Sequence, residues 1–278
     1  MIQPGTLYLV ATPIGNLGDI SARAVETLRS VDFIAAEDTR VSLKLLNHFS
    51  IKKPLVSFHE HSSKESGNKI IDRLLVGESC ALVSDAGMPC ISDPGEELVH
   101  MCAESGINVT AVPGPCASVT ALSLSGLPSG RFTFEGFLST ARKSRFEHLN
   151  ELKDEKRTMI FHEAPHKLIR TLRDMLDVFG DRRVSISREL TKFYEETLRC
   201  SLSEALSHFE QKPPKGEFVL VIEGKGKTPV SSETGVQDAV IIVNQYIDSG
   251  LSVKDSVKKV SEESGIPKNM LYNAVIKK

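Results

Sequence analysis

The segment Thr6-Leu7-Tyr8-Leu9-Val10-Ala11, followed at once by Thr12-Pro13-Ile14-Gly15-Asn16-Leu17-Gly18-Asp19, decides how this chain folds. The first six residues are an apolar run of strand formers and the next eight are rich in turn formers, so a strand enters a loop. From Ser21 the apolar positions Ala24, Val25 and Leu28 fall on one helical face, and Phe33-Ile34-Ala35-Ala36 restores a buried strand. A β-α-β unit of this kind needs a right-handed crossover between parallel strands. Outward from it the pattern repeats. A helix is expected over 42–49, a strand over 55–58, and a helix over 67–75 with Ile70, Ile71, Leu74 and Leu75 inward. A central strand, Cys80-Ala81-Leu82-Val83-Ser84, follows, then a helix over 96–104 and a strand over 108–112, before Pro113-Gly114-Pro115 breaks the chain. A first α/β domain over 1–113 is expected.

The second half is less regular. Strands are predicted over 132–137, 158–162, 183–188 and 218–223, and helices over 142–153, 166–178 and 203–209, which suits a mixed-sheet domain over 114–226. Residues 224–232 (GKGKTPVSS) have linker composition. The remainder of a third unit, 227–278, reads as helices over 239–246, 253–262 and 268–276, the last two joined by Gly265-Ile266-Pro267 in a helix-turn-helix-like arrangement.

Composition excludes several classes. With 278 residues, 34 basic against 36 acidic side chains, 40% hydrophobic and 25% charged residues, the chain is no disordered, collagenous, coiled-coil or disulfide-scaffold protein. Residues 1–138 carry 10 basic and 15 acidic side chains and 139–278 carry 24 and 21, so a polyanion would meet the second half more readily. Five scattered cysteines lack CxxC or zinc spacing and read as free thiols. No leader-like start and no apolar run of membrane-spanning length occurs, so a cytoplasmic protein with no membrane partner and no metal is expected.

Three loops follow predicted strands, where an open parallel sheet binds its ligands. The first holds Pro13, Gly15, Gly18 and Asp19, with Glu37 and Asp38 about 20 residues on. A dinucleotide fingerprint would need a glycine near Pro13, and a plain strand-to-helix turn explains the loop about as well. The second, residues 84–95, offers Ser84, Asp85 and Gly87 as functional candidates, with Asp93 expected only to cap a helix starting near Pro94. The third, residues 112–118, is built of small residues. His59, His61 and His162 lie at strand ends, where a lone histidine is more often structural than catalytic. Arg142, Lys143 and Arg145 interleave with Glu147 and Glu151 as a solvated helix face would, and Lys254, Lys258 and Lys259 either touch phosphates or keep the tail hydrated.

Together the segments at 10–19, 36–40, 83–89, 91–95, 113–115 and 161–165 resemble the tetrapyrrole-methylase-like, class III methyltransferases, and within them the members that methylate a cytidine ribose 2'-oxygen of small-subunit (16S) rRNA. The resemblance runs from about Gly5 to Gly224 and extends to the helical tail. It implies a two-domain class III α/β fold, a parallel-sheet N-terminal domain followed by a mixed-sheet domain, plus a small helical tail. It also implies S-adenosylmethionine in the cleft between the domains, 16S rRNA in the small ribosomal subunit as acceptor, and a homodimer. Carried over by position, Pro13, Ser84, Asp85, Ala86, Gly87, Met88, Ser118, Phe161, His162, Glu217 and Phe218 would hold the donor. Gly15, Asn16, Gly18, Asp19, Glu37, Arg40 and Lys44 would face the acceptor. The first loop departs from the fuller glycine pattern of the tetrapyrrole enzymes, which moves the expected substrate towards RNA.

A ribose hydroxyl is a poor nucleophile, so a positioned base would help; Asp38, Asp85, His59 and His162 are the candidates. Two alternatives stay open: methylation of a tetrapyrrole or another small molecule, and a nucleic-acid-binding regulator whose tail reads DNA.

Overall fold

The computed structural model describes residues 2–59, 64–226, 233–264 and 266–276. His61, Gly265 and most of the predicted linker (227–232) lie outside the described residues. The first lobe is a five-stranded, all-parallel sheet of β1 (Thr6–Val10), β2 (Phe33–Ala36), β3 (Leu55–Ser57), β4 (Cys80–Val83) and β5 (Asn108–Val112). Its order is β3-β2-β4-β1-β5, so β4 is central as its unbroken apolar run requires. Crossing its faces are α1 (Ala22–Ser30), α2 (Thr39–His48), α3 (Lys64–Leu75) and α4 (Glu96–Glu104). One face buries Leu7, Phe33, Leu82 and Leu98, the other Val10, Leu28, Ile34 and Val83. Helices α2 and α3 begin three residues before the expected starts, α2 because Asp38 caps it. Leu75, expected inward, is exposed at the last position of α3, past the turn that packs on the sheet.

The second lobe is a mixed sheet of β6 (Phe132–Phe137), β7 (Thr158–Glu163), β8 (Arg183–Arg188), β9 (Glu196–Ser201) and β10 (Phe218–Ile222), ordered β6-β7-β10-β8-β9. Only β6 and β7 pair in parallel; β10 is antiparallel to β7 and β8, and β8 to β9. Helices α6 (Arg142–Glu151), α7 (Pro165–Phe179) and α8 (Leu202–Gln211) belong to this lobe. Its main core gathers Leu149, Leu168, Leu172, Phe209 and Leu220. The other face is covered by α5 (Ala117–Ser125), whose Ala121 and Leu122 pack with Ile160, Val219 and Val221. Neither α5 nor the edge strand β9 was expected. The α5 sequence, ASVTALSLS, has small and apolar residues on every side, so no polar stripe marks it as a helix.

Arg145 departs from the solvated face expected of α6. Its side chain is 3% exposed, donates from Nε to Asp174 Oδ2 at 2.6 Å, and donates to the Ser139 and Thr140 carbonyls. The tail folds as α9 (Glu233–Asp248), α10 (Val253–Ser264) and α11 (Lys268–Ile276) around Ala239, Val243, Val257, Val260, Ile266 and Leu271. There Lys259 lies over the Tyr246 ring, Nζ 4.2 Å from its centroid, so it packs within the tail. Among the described residues no helix is long and apolar enough to cross a membrane.

Candidate functional site

The first two loops are clamped together. Thr12 and Gly87 exchange backbone hydrogen bonds of 2.9 and 3.1 Å, and Thr12 Oγ1 donates to the Ser84 carbonyl. Gly87 adopts φ +88°, a left-handed conformation that strains residues bearing a Cβ. Beyond it Cys90 (φ +71°) and Ser92 (φ +62°) turn the chain twice more, carrying residues 91–93 along the wall of a cleft between the lobes.

Asp93 does not cap α4, as the sequence suggested. The helix starts at Glu96 with Gly95 as its cap and without a side-chain capping bond. Gly95 takes φ +134°, outside the helical region, so the helix starts two residues later than a cap at Asp93 would allow, and a Cβ there would lie 2.6 Å from Leu82 Cδ2 and 2.7 Å from Cys90 Sγ. Asp93 instead lines the cleft, half-buried. Burial first, then the charge of Glu37 and, more weakly, Asp85 push its carboxyl up to about 6, against an opposing hydrogen bond from Ser84.

The cleft encloses about 510 Å³, within the range of cofactor sites. The first lobe contributes Ile14, residues 86–88 and residues 91–93; the start of α5 contributes residues 116–118. The second lobe contributes Phe137, residues 162–165, Leu190 and residues 217–219. Of the donor residues expected from the resemblance, the cleft thus gathers Ala86, Gly87, Met88, Ser118, His162, Glu217 and Phe218. Pro13, Ser84, Asp85 and Phe161 are not on its surface. Phe161 is fully buried in the second-lobe core, because side chains alternate along β7 and only its neighbour His162 faces the cleft. Ser84 is buried, its hydroxyl lying beside Asp93 and the Ala86 carbonyl. Nothing in the local sequence marks Phe137, Leu190 or Asp93 as wall residues, since strand-end register and a tertiary kink place them.

His162 sits edge-on to Phe134 and Phe137, ring centroids 5.2 and 5.4 Å away. Its Nε2 is buried without a hydrogen-bond partner. Burial lowers its pKa, with Glu217 opposing, so the ring is neutral at pH 7. Neighbouring Glu163 is structural: its carboxylate accepts from Ala164 N at 2.8 Å and Thr171 Oγ1 at 2.5 Å.

The remaining acidic residues knit strand ends together. Asp38 N donates to Asp85 Oδ1 at 3.1 Å, and Asp85 N donates to Glu37 Oε2 at 3.2 Å. Asp38 accepts from Arg40 N, Nε and the guanidinium NH2 at 2.8, 3.0 and 2.6 Å, and these bonds hold its carboxyl down to about 2. So weak a base is unsuited to taking a proton from a hydroxyl, which argues against its candidacy. His59 lies exposed past β3, with β2 between its strand and β4. Gly15, Asn16, Gly18 and Asp19 form an exposed turn in which Asn16 Oδ1 accepts from Gly18 N. Lys44 is exposed on α2.

Two cleft-wall residues, Asp93 and Glu217, bring carboxylates to it, Glu217 already paired with Lys192, and no lysine or arginine is among the described residues lining it. That lining offers no cation to a phosphate-bearing cofactor. Among the described residues no group of three or more His, Cys, Asp or Glu side chains is arranged to hold a metal.

The family profile of the tetrapyrrole (corrin/porphyrin) methylases matches residues 6–206. The chain belongs to the tetrapyrrole methylase family. Like the other tetrapyrrole methylases, it is an S-adenosylmethionine-dependent methyltransferase. Its relatives include the ribosomal RNA small subunit methyltransferase I of Halalkalibacterium halodurans, 51% identical over 97% of this chain and 94% of that protein. A protein of the same name from Thermotoga maritima is 52% identical over 80% of this chain and 99% of its own length. The fold is shared with cobalt precorrin-4 methyltransferase (TM-score 0.57, 15% identity, covering 79% of this chain and 95% of that one). It is shared too with the uroporphyrin-III-C-methyltransferase of Thermus thermophilus (TM-score 0.55, 19% identity, covering 79% and 94%).

Proposed function

We propose that this methyltransferase modifies the ribose 2'-oxygen of a cytidine in small-subunit (16S) rRNA, acting in the cytoplasm as a homodimer. The observation that carries this reading is the identity, spread over nearly the whole chain, to relatives named for small-subunit rRNA. Residues 1–113 and 114–226 are taken as the two domains flanking the cleft and 227–278 as an appended unit. The Thermotoga relative, matched along 99% of its length by 80% of this chain, supports an accessory role for about a fifth of the sequence.

The bound donor would supply an electrophilic methyl group on a positively charged sulfur. Ala86, Gly87 and Met88, with Ser118, His162, Glu217 and Phe218, hold it, and Pro13, Ser84, Asp85 and Phe161 support them from behind. Gly15, Asn16, Gly18, Asp19, Glu37, Arg40 and Lys44 orient the acceptor strand. Displacement at a methyl carbon depends chiefly on alignment and close approach, which two bound reactants held across one cleft provide. Asp93 accepts the proton that the ribose hydroxyl gives up. It lines the cleft, and its carboxyl, at about 6, is ionised at pH 7 yet basic enough to take a proton.

The experiment is methyl transfer from labelled S-adenosylmethionine to unmodified small ribosomal subunits, naked small-subunit rRNA and a precorrin-type tetrapyrrole in parallel. Label in RNA at a nucleotide whose 3' phosphodiester resists alkali is the expected result. Label in the tetrapyrrole alone would overturn the acceptor.

A further inference from the structure

On the turn that supplies the cleft-wall residue Leu190, two aromatic rings stand in solvent. Phe193 is 93% and Tyr194 70% exposed, at the turn between β8 and β9. They pack on each other edge to face, centroids 5.0 Å apart and planes at 89°. The turn that carries them is tightly built. Glu189 and Thr191 adopt φ +50° and +65°, and Thr191 N donates to Glu195 Oε2 at 2.6 Å. Lys192 Nζ bridges Glu189 at 2.9 Å and the cleft residue Glu217 at 3.0 Å. The turn also reaches the acceptor-side loop, since a Cβ on Gly15 would lie 2.5 Å from Lys192 Cγ. Leu190, at the start of the turn, is itself part of the cleft wall. A large apolar side chain held in water by so ordered a turn calls for a binding partner.

We propose that Phe193 and Tyr194 form a stacking platform for an unpaired nucleobase of the acceptor RNA beside the methylated nucleotide. The inference rests on RNA being the acceptor. Ring faces are what the unstacked bases of single-stranded RNA stack on. Local charge selects the base over the phosphate. Lys192 is already neutralised by two carboxylates, and Arg188 is paired with Glu196 at 3.1 Å, so the turn offers no spare cation for a phosphate. The contact is therefore nearly independent of salt.

The test compares the Phe193→Ala/Tyr194→Ala double variant with wild type on unmodified small subunits. The KM for subunits is expected to rise about tenfold or more, as loss of base stacking implies. Turnover should stay within about twofold, and donor affinity and the salt dependence of KM should not change. The chain has no tryptophan, so Tyr194→Trp introduces a single indole reporter that also preserves stacking. It should keep the wild-type KM, and single-stranded RNA should quench its fluorescence while inorganic polyphosphate does not. An unchanged KM in the double variant, or no quenching by single-stranded RNA, overturns the platform. A shift of oligomeric state in the double variant on sedimentation also overturns it, since a second copy of the chain would then cover the rings. Quenching by RNA in an enzyme that labels no RNA would support the platform and refute the methylation reading separately.

Discussion

Replacing Asp93 by Asn should make the protein more stable and less active, and pH separates the two effects. In the folded chain the carboxyl is pushed from 3.8 up to about 6, chiefly by burial and then by Glu37. At ~1.36 kcal/mol per unit, that shift sets an upper bound of about 3 kcal/mol on what the ionised form costs the fold. The residue is only partly buried, so screening reduces the cost to about 1 kcal/mol. The sign follows from which state holds its proton longer. Below about pH 4 both folded and unfolded chains are protonated here and the cost vanishes. Between 4 and 6 the unfolded chain ionises first, so wild-type stability falls with rising pH; above 6 the full cost applies. Asn cannot ionise and its carbonyl can accept from Ser84. Thermal unfolding of both proteins should therefore coincide near pH 4 and diverge by pH 8, with Asp93→Asn melting higher by about 2 °C. Turnover of wild type should decline below about pH 6 as Asp93 protonates, and Asp93→Asn should lose about a hundredfold or more. A melting difference that does not change with pH would refute the assigned burial and charge, and full turnover in Asp93→Asn would refute the assigned base.

Three further outcomes follow from the same geometry. Arg145→Ala leaves Asp174 charged and buried, so it should cost about 3–5 kcal/mol in denaturant unfolding, with donor affinity unchanged in the folded fraction because the pair is not part of the cleft wall. Arg40→Ala should raise the KM for RNA while leaving the donor Kd by calorimetry unchanged; equal loss of both would place Arg40 at the donor. Gly87→Ala forces a Cβ onto a residue at φ +88° and loosens the Thr12 bridge, so donor affinity should fall about tenfold, at a strain of about 1–2 kcal/mol, with the RNA contacts unaffected.

Much of the architecture is written in local pattern. The apolar runs at 6–10, 33–36 and 80–83 are continuous because each strand is covered on both faces, and that periodicity needs no tertiary information. Loops 12–19 and 84–95 announce themselves by glycine, proline and small residues after those strands. Residue order along the chain also fixed which loop ends share one side of the sheet, since parallel strands point their carboxyl ends the same way. Helix α5 and strand β9 escaped because their polarity answers to neighbours on a second sheet and not to a period of their own. Arg145 resembled a solvated residue, and only the approach of α7 with Asp174 made its burial tolerable. Asp93 had the residue type and spacing of a helix cap, a local preference that lost to the non-helical backbone of Gly95. Local pattern alone was enough for the five strands of the first lobe, the loops that follow them and the family. Which side chains turn into the cleft, and with what proton affinity, depends on the folded chain, because the burial of Asp93 and the field of Glu37, 56 positions earlier, exist once the sheet has formed.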